Sequence, residues 1–235
     1  MPGELRSVPP DLGTPSQLTQ LSSLSVSLTQ DLMRAALGPG DRRELLEVLA
    51  ASVRHGQDLS ARLLIHNQWQ VLTVFPHRQL MHSTQPLDVW LELGPAFWQV
   101  GEVLPALVDA PAQPVDPDAA VAAPFAALPP LLWAVAVAGA RGELLPELAG
   151  QAAYRVAPGV DLSGLFIPPR MLSCITRLRR ETCSLREIAD WPGVGKAKAM
   201  RLLNGLYLQS ALIVSRTHPA ATNEGWRGYP PIDPD

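Results

Sequence analysis

The chain has 235 residues, 47% of them hydrophobic and 17% charged, with a net charge of −3, 24 prolines and 2 cysteines. Charge density lies below the roughly 25% common in globular proteins and proline is about twice its average, so short elements joined by Pro-rich connections are expected. That composition suffices for one large or two small domains, and it excludes collagenous, coiled-coil and wholly disordered chains.

Residues 1–15 are rich in Pro, Gly and Ser, lack periodicity, and have no basic start followed by an apolar core; they read as a flexible tail without a secretory signal. Leu18, Leu21, Leu24, Leu28, Leu32 and Ala36 then recur at helical spacing over 18–37. After Gly38-Pro39-Gly40, Asp41 with Glu44 three residues on has the pattern of a capping box. It opens a second helix to about His55 that buries Leu45, Leu46, Val48 and Leu49. From Ala61 to Ser83 the period falls to two: Leu63 and Ile65, then Trp69, Val71, Thr73 and Phe75, then Leu80 and His82. This predicts a three-stranded meander turning at Asn67-Gln68 and at Pro76-His77-Arg78. Leu87 to Leu93 reads as a further strand, so residues 16–104 form an α+β body.

Residues 105–130, centred on Pro111-Ala112-Gln113-Pro114-Val115-Asp116-Pro117, read as a linker or long loop. Residues 131–150 hold a packing helix with Trp133, Val135 and Val137, broken at Gly139 and Gly142. The apolar run from Leu128 to Ala140 is interrupted by Pro129 and Pro130 and is too short for a bilayer, so no membrane association is expected. Residues 151–218 form the last module. A short strand pair is expected around Pro158-Gly159, followed by a helix from Pro169 whose apolar face is Met171, Leu172, Ile175 and Leu178. Ser184-Leu185-Arg186-Glu187 is a capping box that opens a second helix to about Trp191. A third, from Lys196 to about Gln209, turns Ala199, Leu202, Leu203 and Leu206 inward, and Ala211 to Ser215 follows as a strand. Residues 219–235, with Trp226 and Tyr229, read as an irregular tail. The fold expected is α+β: N-terminal helices, a small antiparallel β-meander and a C-terminal three-helix module.

Charge is divided along the chain. Pro168 to His218 carries nine basic and three acidic residues, a balance of +6, which leaves −9 for the remainder. An acidic body joined to a basic end is the pattern of a polyanion-binding module, or of two parts that attract each other.

Within the basic segment, Trp191-Pro192-Gly193-Val194-Gly195-Lys196-Ala197-Lys198-Ala199 resembles the hairpin of the helix-hairpin-helix DNA-binding family, with Trp where Leu is common. The resemblance implies that Gly193 and Gly195 let backbone amides approach a phosphate, with Lys196 and Lys198 supplying charge. The wider stretch of three helices and an apolar strand resembles the winged-helix regulators and their non-DNA-binding relatives. On that resemblance the third helix is the recognition helix, and Lys196, Lys198, Arg201 and Asn204 are its outward, DNA-contacting residues. Met200, Leu208, Leu212 and Ile213 make the region unusually apolar, which instead suits a face buried against the body or a protein partner.

Other constellations carry less. His66, His77 and His82 lie on the meander without the carboxylate or cysteine spacing of a metal site, and neither metal nor cofactor is expected. Trp69, Trp90, Trp98 and Phe97 are expected as core or interface anchors. Cys174 and Cys183 are expected as reduced, buried thiols, and the Ala, Leu, Pro and Arg bias points to a GC-rich bacterial source and a cytoplasmic chain. There is no Walker loop, dinucleotide fingerprint or nucleophile elbow. The expectation is a non-enzymatic regulatory protein that contacts DNA through its basic C-terminal module. The alternative is a signalling or assembly scaffold whose same module performs protein–protein interaction.

Overall fold

A computed structural model describes residues 24–36, 44–92, 94–111 and 124–223. The expected tail at 1–15, the Asp41 cap, the centre of the Pro-rich stretch, and residues 224–235 of the tail expected at 219–235, with Trp226 and Tyr229, lie outside the described residues. The start of that second tail is not irregular, because Thr222–Asn223 forms a strand paired with Gln151 and Ala152. The fold is α+β, with seven α-helices and two antiparallel sheets among the described residues. No described helix is long and apolar enough to cross a membrane.

Two helices open the structure, α1 (Val26–Ala36) and α2 (Leu45–His55). They meet through Leu28 and Leu32 on α1 and the buried face of α2, Leu45, Leu46, Val48 and Leu49, as the spacing predicts. Glu44 is itself the N-cap of α2, with extended backbone and no side-chain capping bond, so it does not serve as the third residue of a capping box; its carboxylate instead takes a hydrogen bond from Arg141 at 2.8 Å.

The first sheet has the order β4-β1-β2-β3-β5, all antiparallel, from β1 (Leu59–Ile65), β2 (Gln68–Phe75), β3 (Leu80–Ser83), β4 (Gln99–Pro105) and β5 (Phe125–Ala127). The predicted meander is β1-β2-β3. Its first turn lies one residue earlier than expected, at His66-Asn67. Ile65 faces Gln68 across the ladder, and both turn residues have positive φ, 46° and 65°, as the two-residue hairpin that matches strand twist requires. Leu59, Ala61, Leu63 and Ile65 alternate inward along β1, while Ser60 on the other face is also buried and meets Thr73 hydroxyl to hydroxyl at 2.7 Å. The segment expected as a fourth strand is a helix, α3 (Leu87–Glu92). Leu87, Val89 and Leu91 mimic a strand's alternation, but Trp90 N–H bonds the Pro86 carbonyl at 3.2 Å and only the turn of a helix buries Trp90. Its indole packs edge-on against Trp98, centroids 5.0 Å apart. Trp69 departs from the anchor expectation: it is 55% exposed, lies over Gly101 and holds the Arg62 guanidinium 5.6 Å from its ring.

The helix α4 (Leu128–Ala138) begins directly after β5 and ends at Gly139. Leu128, Leu131, Leu132, Trp133, Val135 and Ala136 are all buried, which is the signature of a helix covered on more than one side. It touches α2, α3 and β3 in the body and packs along α7 of the C-terminal module. One hydrophobic core therefore runs from Leu28 to Ala211.

In the second sheet β6 (Gln151–Val156) is central, pairing with β7 (Cys183–Ser184), β8 (Leu212–Ser215) and β9 (Thr222–Asn223). The hairpin expected around Pro158-Gly159 does not form. Both edges of β6 are taken by strands distant in sequence, because Ala153 and Tyr154 are fully buried and need partners on either side. Three helices complete the module: α5 (Pro169–Leu178), α6 (Leu185–Ala189) and α7 (Gly195–Leu208). The Ser184 capping box is present in both directions. Ser184 Oγ accepts from Glu187 N–H at 3.3 Å, and Glu187 Oε2 accepts from Ser184 N–H at 2.7 Å.

Candidate nucleic-acid interface

The turn from α6 to α7 is built by backbone geometry. Gly193 and Gly195 have φ of 74° and 69°, values that other residues adopt only with strain, and Val194 N–H bonds back to the Trp191 carbonyl at 3.1 Å. Val194 occupies the N-cap of α7 and has no side-chain acceptor to offer, so the amides of the first turn point outward uncapped. Gly193, Gly195, Lys196 and Lys198 are all exposed, and the Lys198 ammonium donates to the Gly193 carbonyl at 3.2 Å. Arg170, at the start of α5, lies against the turn; a Cβ on Gly193 would sit 3.2 Å from its Nη1. Trp191 is half-buried, with the Arg177 guanidinium stacked 4.6 Å from its ring centre. Four of the six predicted site residues thus come together at one exposed end of the molecule.

The other two do not. Asn204 is fully buried: its Oδ1 accepts from Leu145 N–H at 2.9 Å and its Nδ2 donates to the Glu143 carbonyl at 2.7 Å. Arg201 is half-buried and donates to the Val137 carbonyl at 3.2 Å. The part of α7 that carries Arg201 and Asn204 is covered by α4 and the segment after it, so these two residues tie the module to the body. The signal in the sequence was Gly205, a mid-helix glycine that marks a close approach; a Cβ there would lie 2.9 Å from the Trp133 ring. Replacing Asn204 with Leu, similar in size but unable to bond, strands the Leu145 amide and leaves the Glu143 carbonyl with the Arg141 bond alone. A loss of about 2 kcal/mol is expected, read as a lower midpoint in urea with an unchanged slope.

Several remaining cations of the basic segment are also engaged by carbonyls. Arg179 donates to Val160, and Arg216 to Glu147, Ala149 and Gln151. The exposed positive surface is consequently narrower than the sequence count suggests; Arg170, Lys196 and Lys198 are its exposed members beside the turn. Burial pushes the Cys174 and Cys183 thiols above their ordinary range, so both stay protonated at neutral pH. No described group of His, Cys, Asp and Glu is placed to hold a metal ion; His66 sits in a turn, and His82 packs edge-on against Phe125. The chain matches no known family, no curated protein and no solved structure.

Proposed function

We propose that the C-terminal module binds DNA by its phosphate backbone, without reading sequence, through the Gly193–Lys198 turn and Arg170. The observation that carries this reading is the uncapped, exposed start of α7 between two positive-φ glycines, with Lys196, Lys198 and Arg170 beside it. Outward amides, the positive end of a 14-residue helix and three cations favour an anion such as phosphate. The order helix, strand, helix, helix, strand from α5 to β8 is compatible with a winged-helix relationship. Reading bases with α7 would require that helix to leave α4, so groove recognition is not part of the proposal.

The test is fluorescence anisotropy of the full chain with labelled duplex DNA at several salt concentrations. In the Arg170→Ala, Lys196→Ala, Lys198→Ala triple variant, affinity should fall and the slope of log K against log salt should flatten by about 2–3, one condensed counterion per lost contact. Salt-sensitive binding with an unchanged slope in the variant would remove the turn from the site, and no binding by the native chain would end the proposal. In that event the protein-interaction reading gains from Phe166, 90% exposed, and Leu172, 52% exposed, both near the start of α5.

A further inference from the structure

A second constellation lies at the junction of α1 and α2, on the body and away from the basic end. Ser27 and Asp31 are four residues apart on α1, which places them one turn apart on the same face. His55 is the last residue of α2. Its Nε2 lies 2.8 Å from Asp31 Oδ2, and its Nδ1 lies 3.5 Å from Ser27 Oγ. A hydroxyl, an imidazole and a carboxylate are therefore in line, each within reach of the next. The arrangement borders an open cavity of about 660 Å³ lined by Ser25, Ser27, His55, Asp58, His77 and Arg78.

We propose that Ser27 is an acyl-accepting nucleophile, with His55 as its base and Asp31 as the residue that orients the base, so that the body carries a site for hydrolysing small polar esters. The order of the relay fixes the tautomer: the carboxylate holds the proton on Nε2 and leaves the Nδ1 lone pair facing Ser27. Asp31 is itself held by Arg34 at 3.0 Å and Arg54 at 2.6 Å. The hydrogen bond from His55, assisted by Arg54, holds its carboxyl below the ordinary range despite some desolvation, so it remains ionised. A separation of 3.5 Å is long for a hydrogen bond, and such contacts commonly tighten once substrate is bound.

The chemistry balances with ester and water alone. Ser27 Oγ attacks the acyl carbon as its proton moves to His55 Nδ1, and the C–O bond to the leaving alcohol breaks as that proton passes to the alkoxide. Water, deprotonated by the same nitrogen, then releases the acid and restores the serine. The developing oxyanion would lie near the Val26 and Ser27 amides that open α1; the next amide, that of Leu28, already donates to Ser25 Oγ at 3.3 Å. Sequence reading missed this site because its members belong to two helices, and only the spacing of Ser27 and Asp31 was visible in advance.

The experiment exposes the full chain to a fluorophosphonate probe and maps the modified residue by mass spectrometry, with p-nitrophenyl acetate turnover followed in parallel. Labelling of Ser27 is expected, absent in Ser27→Ala, slowed about 10²-fold or more in His55→Gln, and retained in Ser173→Ala, a change to an exposed serine of α5. Ser25 Oγ lies 3.3 Å from Ser27 Oγ and accepts from Leu28 N–H at 3.3 Å, so Ser173 on α5, outside the cavity, serves as the control for an ordinary exposed serine. Circular dichroism and melting confirm that the variants remain folded; Ser27 is exposed, so its loss should not disturb the helix pair. An unlabelled Ser27 in the native chain, labelling that is equal in His55→Gln, or a probe found on Ser25 instead would overturn the assignment.

Discussion

Arg141→Met is expected to lower stability by about 3–5 kcal/mol and the melting temperature by about 6–20 °C. Arg141 is 13% exposed and joins α2 to the segment after α4: its guanidinium pairs with Glu44 and Glu47 and donates to the Leu144 and Glu143 carbonyls. Methionine keeps the length of the side chain but leaves Glu47, 16% exposed, as a nearly buried carboxylate without its cation. The pH dependence distinguishes this cause from lost packing. Burial already pushes the Glu47 carboxyl above its ordinary 4.5 against the pull of Arg141, and Glu44 adds to the rise. A carboxyl with a raised folded pKa is neutral in both states at low pH; its cost appears once pH passes the unfolded value, near 4.5, grows up to the folded value and is fully present above it. Without Arg141 that cost grows, so the deficit of the variant should be large at pH 7 and shrink toward pH 4. Urea melts at the two values measure it, and a deficit independent of pH would assign the loss to packing alone.

Local patterns carried much of the fold into the sequence. The buried face of α2, the alternation of β1 to β3 and the Ser184–Glu187 cap follow from spacing and short-range hydrogen bonds, which a sequence displays directly. Failures arose where distant residues decide. Leu87 to Glu92 alternates like a strand, yet Trp98 provides a buried partner for Trp90 only when that segment turns as a helix. The central place of β6 depends on β7 and β8, both more than 25 residues further along the chain. The candidate interface divides along the same line. Positive-φ glycines and nearby lysines are local chemistry and were legible, whereas the burial of Asn204 depends on carbonyl and amide groups near residue 144 that no periodicity announces. A polar residue on a helix reads as outward until something covers it.

The cover itself can be tested. Trp133→Ala is expected to cost about 3–5 kcal/mol, since the indole is 3% exposed and donates from Nε1 to the Phe166 carbonyl at 3.1 Å. Gly205→Val is expected to cost about 2–3 kcal/mol alone, because its Cβ would lie 2.9 Å from that same indole. The combination should cost clearly less than the sum, by about 1 kcal/mol or more, as valine enters the space the indole leaves. Additive losses would mean that α4 and α7 do not meet through this pair. The cycle also bears on the DNA proposal. If the turn at Gly193 acts by itself, loosening α4 from α7 in Gly205→Val leaves DNA affinity unchanged at temperatures where the chain stays folded. A gain in affinity, with new dependence on DNA sequence, would mean instead that α4 masks a reading face that includes Arg201 and Asn204.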